Sequence, residues 1–257
     1  QITCVAPVLF GFVLPVLLLG SRAMSHLELA LAGGFWRAAW HSIMLAALAA
    51  VIAVFVGLVL AFARKRIKSG IVPVTTALAG LGYAIPGTVL ALGLMLPLAG
   101  FDNWIDARFR GIFGVSTGLV ISGSLLIVVI AYVIRFLAVS LGAIDAGIER
   151  LSPNLDAAAR TLGYSASWAW RKVHIPMLLP TLGSAALLVF VDAMKELPAT
   201  LIIRPFNFDT LAVRVYQLAA DERLAEASTG ARVIVSIGLL SVGLLASLVR
   251  GAKRSMR

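Results

Sequence analysis

Between Arg37 and Arg64 the chain runs for 26 residues without a formally charged side chain. A helix rising ~1.5 Å per residue crosses ~30 Å of hydrocarbon in about 20 residues, so this run can span a bilayer. Residues 2–19, 71–98, 117–141, 177–194 and 229–249 form further long apolar runs, the last three each holding a single charged residue, Arg135, Asp192 and Arg232. Lipid offers no partner to backbone N–H and C=O groups, and a helix pairs its own. The alternation of a membrane β-barrel is absent from the sequence. The fold class expected is therefore all-α, a polytopic transmembrane helix bundle of about six spans, read as one domain over residues 1–257. Hydrophobic residues make up 60% of the chain and charged residues 13%, which excludes an ordinary soluble domain.

The formal net charge is +10, but the bases gather at the ends of the apolar runs. That pattern orients a membrane protein and argues against nucleic acid as a partner. With both termini on the cytoplasmic side, the cytoplasmic segments hold 13 of the 22 basic residues and only the acids Asp145, Glu149 and Asp156. Arg64, Lys65, Arg66 and Lys68 end the second run, and Arg250, Lys253, Arg254 and Arg257 close the chain. The single cysteine, Cys4, permits neither an internal disulfide nor a cysteine-based metal site. His26, His41 and His174 lie far apart near span ends and read as ordinary interfacial residues.

Several positions inside or beside the runs carry more information. Ala49, Ala53, Gly57 and Ala61 recur every fourth residue and give the second span one smooth face for close helix packing. Pro86 and Gly87 interrupt the third run and are expected to break the helix, at a place that either lines a pathway or only shapes packing. Residues 101–116, with Asp102, Trp104, Asp106, Arg108 and Arg110, read as an external loop, and residues 205–226 as a second external segment. Arg135 is placed near the inner end of the fourth span, where it can snorkel. Asp192, Lys195 and Glu196 fall at i, i+3 and i+4 and share one face if the helix continues. They read either as a gate or pathway contact, or as an Asp192–Lys195 pair that anchors the helix end. Two carboxylates without a third oxygen donor are weak grounds for a metal site, and none is assigned.

Residues 143–176 contain the one long stretch that lipid would not accept. Asp156 favours a helix start, Ala157, Ala158 and Ala159 are strong helix formers, and Gly163 suits a left-handed helix stop. Nine residues then separate Gly163 from the Val173-His174-Ile175-Pro176 turn into the next span. This stretch resembles the coupling motif of binding-protein-dependent ABC importer permeases, whose pattern is Glu-Ala-Ala, three residues, Gly, nine residues, Ile-x-Leu-Pro. Ala157 stands where the family has its glutamate, and Asp156 is the nearest carboxylate. Residues 192–206 resemble the ferric-iron branch of the same family. The likeness covers the last half of the chain well and the first half only in hydropathy.

The resemblance implies a permease of the bacterial inner membrane that forms half of a translocation pore, with ferric iron as the expected substrate class and polyamine, thiamine or another small solute as further candidates. It implies a cytoplasmic ABC ATPase dimer docked at Asp156, Ala157, Ala158, Ala159, Gly163, Val173, Ile175 and Pro176. A second permease half and a periplasmic solute-binding protein complete the expected set. The chain begins at Gln1 and is expected to be the C-terminal half of a longer, fused permease. It carries no Gly-Lys-Ser/Thr phosphate loop, no Ser/His/Asp signature and no His-Glu-x-x-His, so it is not expected to be an enzyme or to bind a cofactor, and ATP belongs to the partner. A different class, an ion-gradient-driven secondary transporter, would depend on a deep carboxylate such as Asp192.

Overall fold

The structure is a computed structural model that describes residues 2–24, 34–67, 70–152 and 154–255. His26, Glu28, Lys68 and Arg257 lie outside the described residues. The first helix runs as α1 (Ile2–Val8), a wider π turn over Leu9–Val13, and α2 (Leu14–Met24). Then follow α3 (Phe35–Arg66), α4 (Ile71–Ala84), α5 (Gly87–Phe113) and α6 (Leu125–Ile148). The polar segment forms α7 (Leu155–Thr161), α8 (Ala166–Ala169) and a π turn over Trp170–His174. The chain finishes with α9 (Ile175–Met194), α10 (Pro198–Ile203), α11 (Leu211–Ala220) and α12 (Leu224–Ser255). Five of the described helices are long and apolar enough to cross a membrane, and Val5–Ser21 is a shorter apolar stretch.

Helices α3, α6 and α9 pack against one another at the centre. Ala49, Ala53, Gly57 and Ala61 of α3 are all buried, as their spacing predicts. Ser140 of α6 donates to the Ala53 carbonyl at 2.8 Å, and a Cβ on Gly57 would sit 2.8 Å from the Ser140 Oγ. The small-residue face therefore sets how closely α3 and α6 approach.

Residues 101–113 are helical and belong to α5, so the external loop expected over 101–116 is shorter and lies further along, at 114–124. The cause is a pair of carboxylates one turn apart on α5. Asp102, fully buried, accepts from the Ile121 and Ser122 backbone amides and from the Ser122 hydroxyl at 2.6 Å. Asp106 accepts from Ser116 Oγ and Thr117 N, each at 2.7 Å, and pairs with Arg110. Both fold the loop back onto the helix, and Gly114 at φ +68° ends α5. Ser124 then caps α6 by accepting from Leu126 N, so the fourth span begins at residue 125 and not at 117. The segment 205–226 likewise contains a helix, α11, capped by Thr210.

Gly57→Leu is expected to wedge α3 from α6 and destabilise the chain by about 1–3 kcal/mol. Thermal denaturation of the detergent-purified protein checks it, with Val59→Leu on the exposed side of the same helix expected to stay within about 0.5 kcal/mol.

Candidate functional site

The polar segment folds as a knob at the end of the bundle where α3 and α6 terminate. Its first helix, α7, stops at Gly163, which adopts φ +80°. Gly163 N donates to Arg160 O at 3.0 Å and Tyr164 N to Ala159 O at 2.9 Å, which satisfies carbonyls that the helix end would leave open. Ser165 then caps α8 by accepting from Trp168 N at 3.2 Å. Ala159 is buried, whereas Ala157 and Ala158 face outward. Leu162 is 72% exposed, and the exposed Tyr164 and Trp168 rings stack at 3.9 Å beside it. Of the motif's far end, Val173 and Ile175 are half-buried and Pro176 is exposed at the start of α9.

Asp156 does not face outward with the alanines. Its Oδ2 lies 2.9 Å from Lys65 Nζ at the end of α3, and its Oδ1 lies 2.7 Å from His174 Nε2. Burial works against the charged form of Asp156, but the hydrogen bonds and charges of Lys65 and His174 outweigh it and hold the carboxyl below the ordinary carboxylate range. His174 is buried, in contrast to the interfacial position expected from its place near a span end. Trp170 lies against both Phe62 and His174, and Lys65 sits over its ring at 5.9 Å. Arg64 pairs with Asp145 at 2.7 Å, tying the ends of α3 and α6 together. The knob is thus fastened to the end of α3 through Lys65 and to the turn that leads into α9 through His174, and these anchors come from far enough along the chain that spacing does not reveal them.

A second polar cluster lies inside the bundle. The expected break at Pro86 and Gly87 is present, with α4 ending at Ala84 and α5 starting at Gly87. Helix α9 ends at Met194, so Glu196 does not share a helical face with Asp192 and Lys195 as their spacing had suggested. Asp192 and Lys195 pair at 2.8 Å, with the Lys195 side chain 61% exposed. Glu196 turns the other way and is 6% exposed. It accepts from Arg135 Nε at 3.0 Å through Oε2 and from the Ala199 amide at 3.2 Å through Oε1. Arg135 also donates from Nη1 to the Ile85 carbonyl at 2.6 Å. It is therefore a structural bridge inside the bundle and does not snorkel. Tyr132 and Thr200, both buried, bring their hydroxyls within 2.6 Å, and Thr200 donates to the Glu196 carbonyl at 3.1 Å.

Comparison with known proteins places this arrangement. No family model matches the chain. The sequence is 27% identical over 205 residues to the Fe(3+)-transport system permease protein FbpB 2 of Haemophilus influenzae, covering 80% of this chain and 37% of that protein. It is 27% identical over 231 residues to the putative 2-aminoethylphosphonate transport system permease protein PhnV of Salmonella typhimurium, covering 90% and 80%. In three dimensions it matches a chain of a bacterial ABC transporter involved in import of the acidic polysaccharide alginate, with a TM-score of 0.72 at 13% identity, over 100% of this chain and 94% of that one. The alginate transporter in complex with an alginate pentasaccharide-bound periplasmic protein matches with a TM-score of 0.68 at 14% identity, over 100% and 92%. The chain is similar in sequence to these permeases and shares the fold of the ABC-transporter chains. Such a permease is a multi-pass membrane protein, and the five long apolar helices agree with that. This chain spans only about a third of the length of the Haemophilus permease.

Asp156→Ala removes both anchors of the knob. Trypsin cleavage at Arg160 in the folded protein is expected to speed up about a hundredfold, the factor for losing two charge-assisted hydrogen bonds of ~1.4 kcal/mol each. Because the folded-state carboxyl is depressed, its stabilisation is fully present above the ordinary value of ~3.9 and is lost as pH falls through the lower, folded value. The protection factors of the 155–165 amides, taken against the intrinsic exchange rate at each pH, are expected to hold at pH ~5 and to fall only below pH ~4.

Proposed function

We propose that this chain is the membrane permease of a bacterial ABC importer, seated in the inner membrane with both termini cytoplasmic. The observation that carries the reading is the knob itself. It is held to the end of α3 through Lys65 and to the turn before α9 through His174, yet it presents a small, outward patch of Ala157, Ala158, Leu162 and the stacked Tyr164 and Trp168. An apolar patch on an element that lies beyond the spans, rimmed by Arg160, Arg171 and Lys172, suits the groove of a soluble partner. In this reading the partner is an ABC ATPase dimer that hydrolyses ATP, and this chain binds no cofactor.

A second permease half, on the same or another chain, completes the pathway, and a periplasmic binding protein delivers the solute. The Haemophilus likeness favours ferric iron as that solute, and the Salmonella likeness names 2-aminoethylphosphonate as the competitor. The pathway wall is assigned to the two helix breaks, with Pro86, Gly87, Asp192, Lys195 and Glu196 as its residues. A proton-coupled carrier would need Asp192 as a free carboxylate, and Asp192 is engaged by Lys195.

Affinity purification of the full-length protein from its own membranes tests the coupling assignment. A stoichiometric ATPase is expected with the unmodified chain. Gly163→Pro, which cannot adopt the positive φ, is expected to lower that yield at least about tenfold while membrane insertion is unchanged. An intact chain recovered without any ATPase, or an ATPase retained by Gly163→Pro, overturns it. Uptake of radiolabelled ferric iron against 2-aminoethylphosphonate in the same cells separates the two solutes.

A further inference from the structure

The cluster around Arg135 sits at an unusual depth. Arg135 is the eleventh residue of α6, about 15 Å along a helix of 24 residues, so it lies near the middle of the bilayer. Two helix breaks meet it there. The α4–α5 break leaves the Ile85 carbonyl facing the guanidinium at 2.6 Å, and the α9–α10 break offers Glu196 at 3.0 Å. One side chain therefore holds two interruptions that are separated by more than a hundred residues of sequence. Glu196 extends the join, because its second oxygen accepts from the Ala199 amide that opens α10. Gly87 completes it: a Cβ there would lie 2.7 Å from Glu196 Oε1, 3.2 Å from Ala199 N and 3.2 Å from Pro198 Cβ. The two breaks touch only because position 87 has no side chain.

We propose that Arg135 is the positioning residue of the translocation pathway, a latch that holds the two broken helices together and keeps the wall between α5 and α10 closed. The inference rests on the transport reading for its purpose, but the latch itself is a statement about two helix pairs. Three physical points support it. A charge pair at this depth is costly to bury and earns no stability that apolar side chains of similar volume would not give. The broken helices need their exposed backbone groups covered, and Arg135 with Glu196 covers one on each. The pair also joins elements with no other polar link across the gap among the described residues, apart from the adjoining Tyr132–Thr200 contact. A wall held at a single ionic point can part there without unravelling either helix.

The test uses the full-length chain with Cys4→Ser and a cysteine in place of Ala91, which is fully buried one turn beyond Gly87 and clusters with Ala199 and Ile203. Reaction with a small maleimide in proteoliposomes reports how often the wall opens. Removing one partner alone would leave the other buried and unpaired, so the informative variant is the double Arg135→Gln with Glu196→Gln. It is expected to fold, with a Tm near that of the parent, and to label roughly tenfold faster, the factor for releasing one charge-assisted hydrogen bond from the closed state. An unchanged labelling rate in the folded double variant overturns the latch and leaves the pair a structural filler. Should the double variant fail to fold, Gly87→Ala displaces the Glu196 carboxylate with both charges present. The same acceleration there supports the latch, and an unchanged rate overturns it. Neither readout involves the ATPase, so co-purification of the ATPase with each variant shows separately whether the transport reading stands.

Discussion

A helix interrupted within lipid exposes backbone groups that hydrocarbon cannot satisfy, and this bundle contains two such interruptions. Their resolution organises the rest. The Ile85 carbonyl, freed by Pro86, is met by Arg135, and the Ala199 amide, opened beyond Lys195, is met by Glu196. The guanidinium and the carboxylate then neutralise each other at 3.0 Å. Desolvating such a pair costs several kcal/mol per ion, which the mutual attraction offsets only when further hydrogen bonds fill the remaining donors and acceptors. Both ions have that second bond here. Small residues are consequently required where the breaks meet, and Gly87 supplies the closest of these approaches.

Helix α9 links this centre to the knob. It begins directly after His174, the partner of Asp156, and ends at Met194, two residues before Glu196. At ~1.5 Å per residue its 20 residues make a rod about 30 Å long between the two polar clusters. Pro180 lies inside it, and Ser184 donates to the carbonyl of Pro180 at 2.9 Å, so the helix carries its own local hydrogen bonding past the imino acid. Any displacement of the knob would pass to α9 through Asp156 and His174, and to α3 through Lys65. The same rod would carry it to the residues beside Glu196. Packed helices of this kind transmit small shifts as units because their interiors are close to incompressible.

The bundle was legible because hydropathy over 20 residues is a local property, and so were the buried small face of α3, the break at Pro86 and the left-handed Gly163. What escaped the sequence depends on partners far apart along the chain. Arg135 reads as a snorkelling base until Glu196, 61 residues away, is seen beside it. Asp102 and Asp106 read as loop residues because acids seldom continue a membrane helix. Here they continue one by taking up the amides of residues 117, 118, 121 and 122. The i, i+3, i+4 spacing of Asp192, Lys195 and Glu196 implied one face only on an unbroken helix, and the break after Met194 sends Glu196 to the opposite side from Lys195.

The departure from the family pattern at Ala157 gains a physical reading from the same geometry. A glutamate at that outward position would offer a charge to the partner. In this chain the carboxylate stands one residue earlier, and one residue of α-helix turns it about 100° away from that face. There it meets Lys65 and His174 of its own chain. The charge has moved from the surface that a partner would touch to the joint that fixes the knob's angle. What remains exposed there is Ala157, Ala158, Leu162, Tyr164 and Trp168, an apolar patch with no carboxylate of its own. The knob's stiffness depends on a partly buried ion pair, which salt screens less than an exposed one. The outward patch and the joint behind it therefore rest on different side chains.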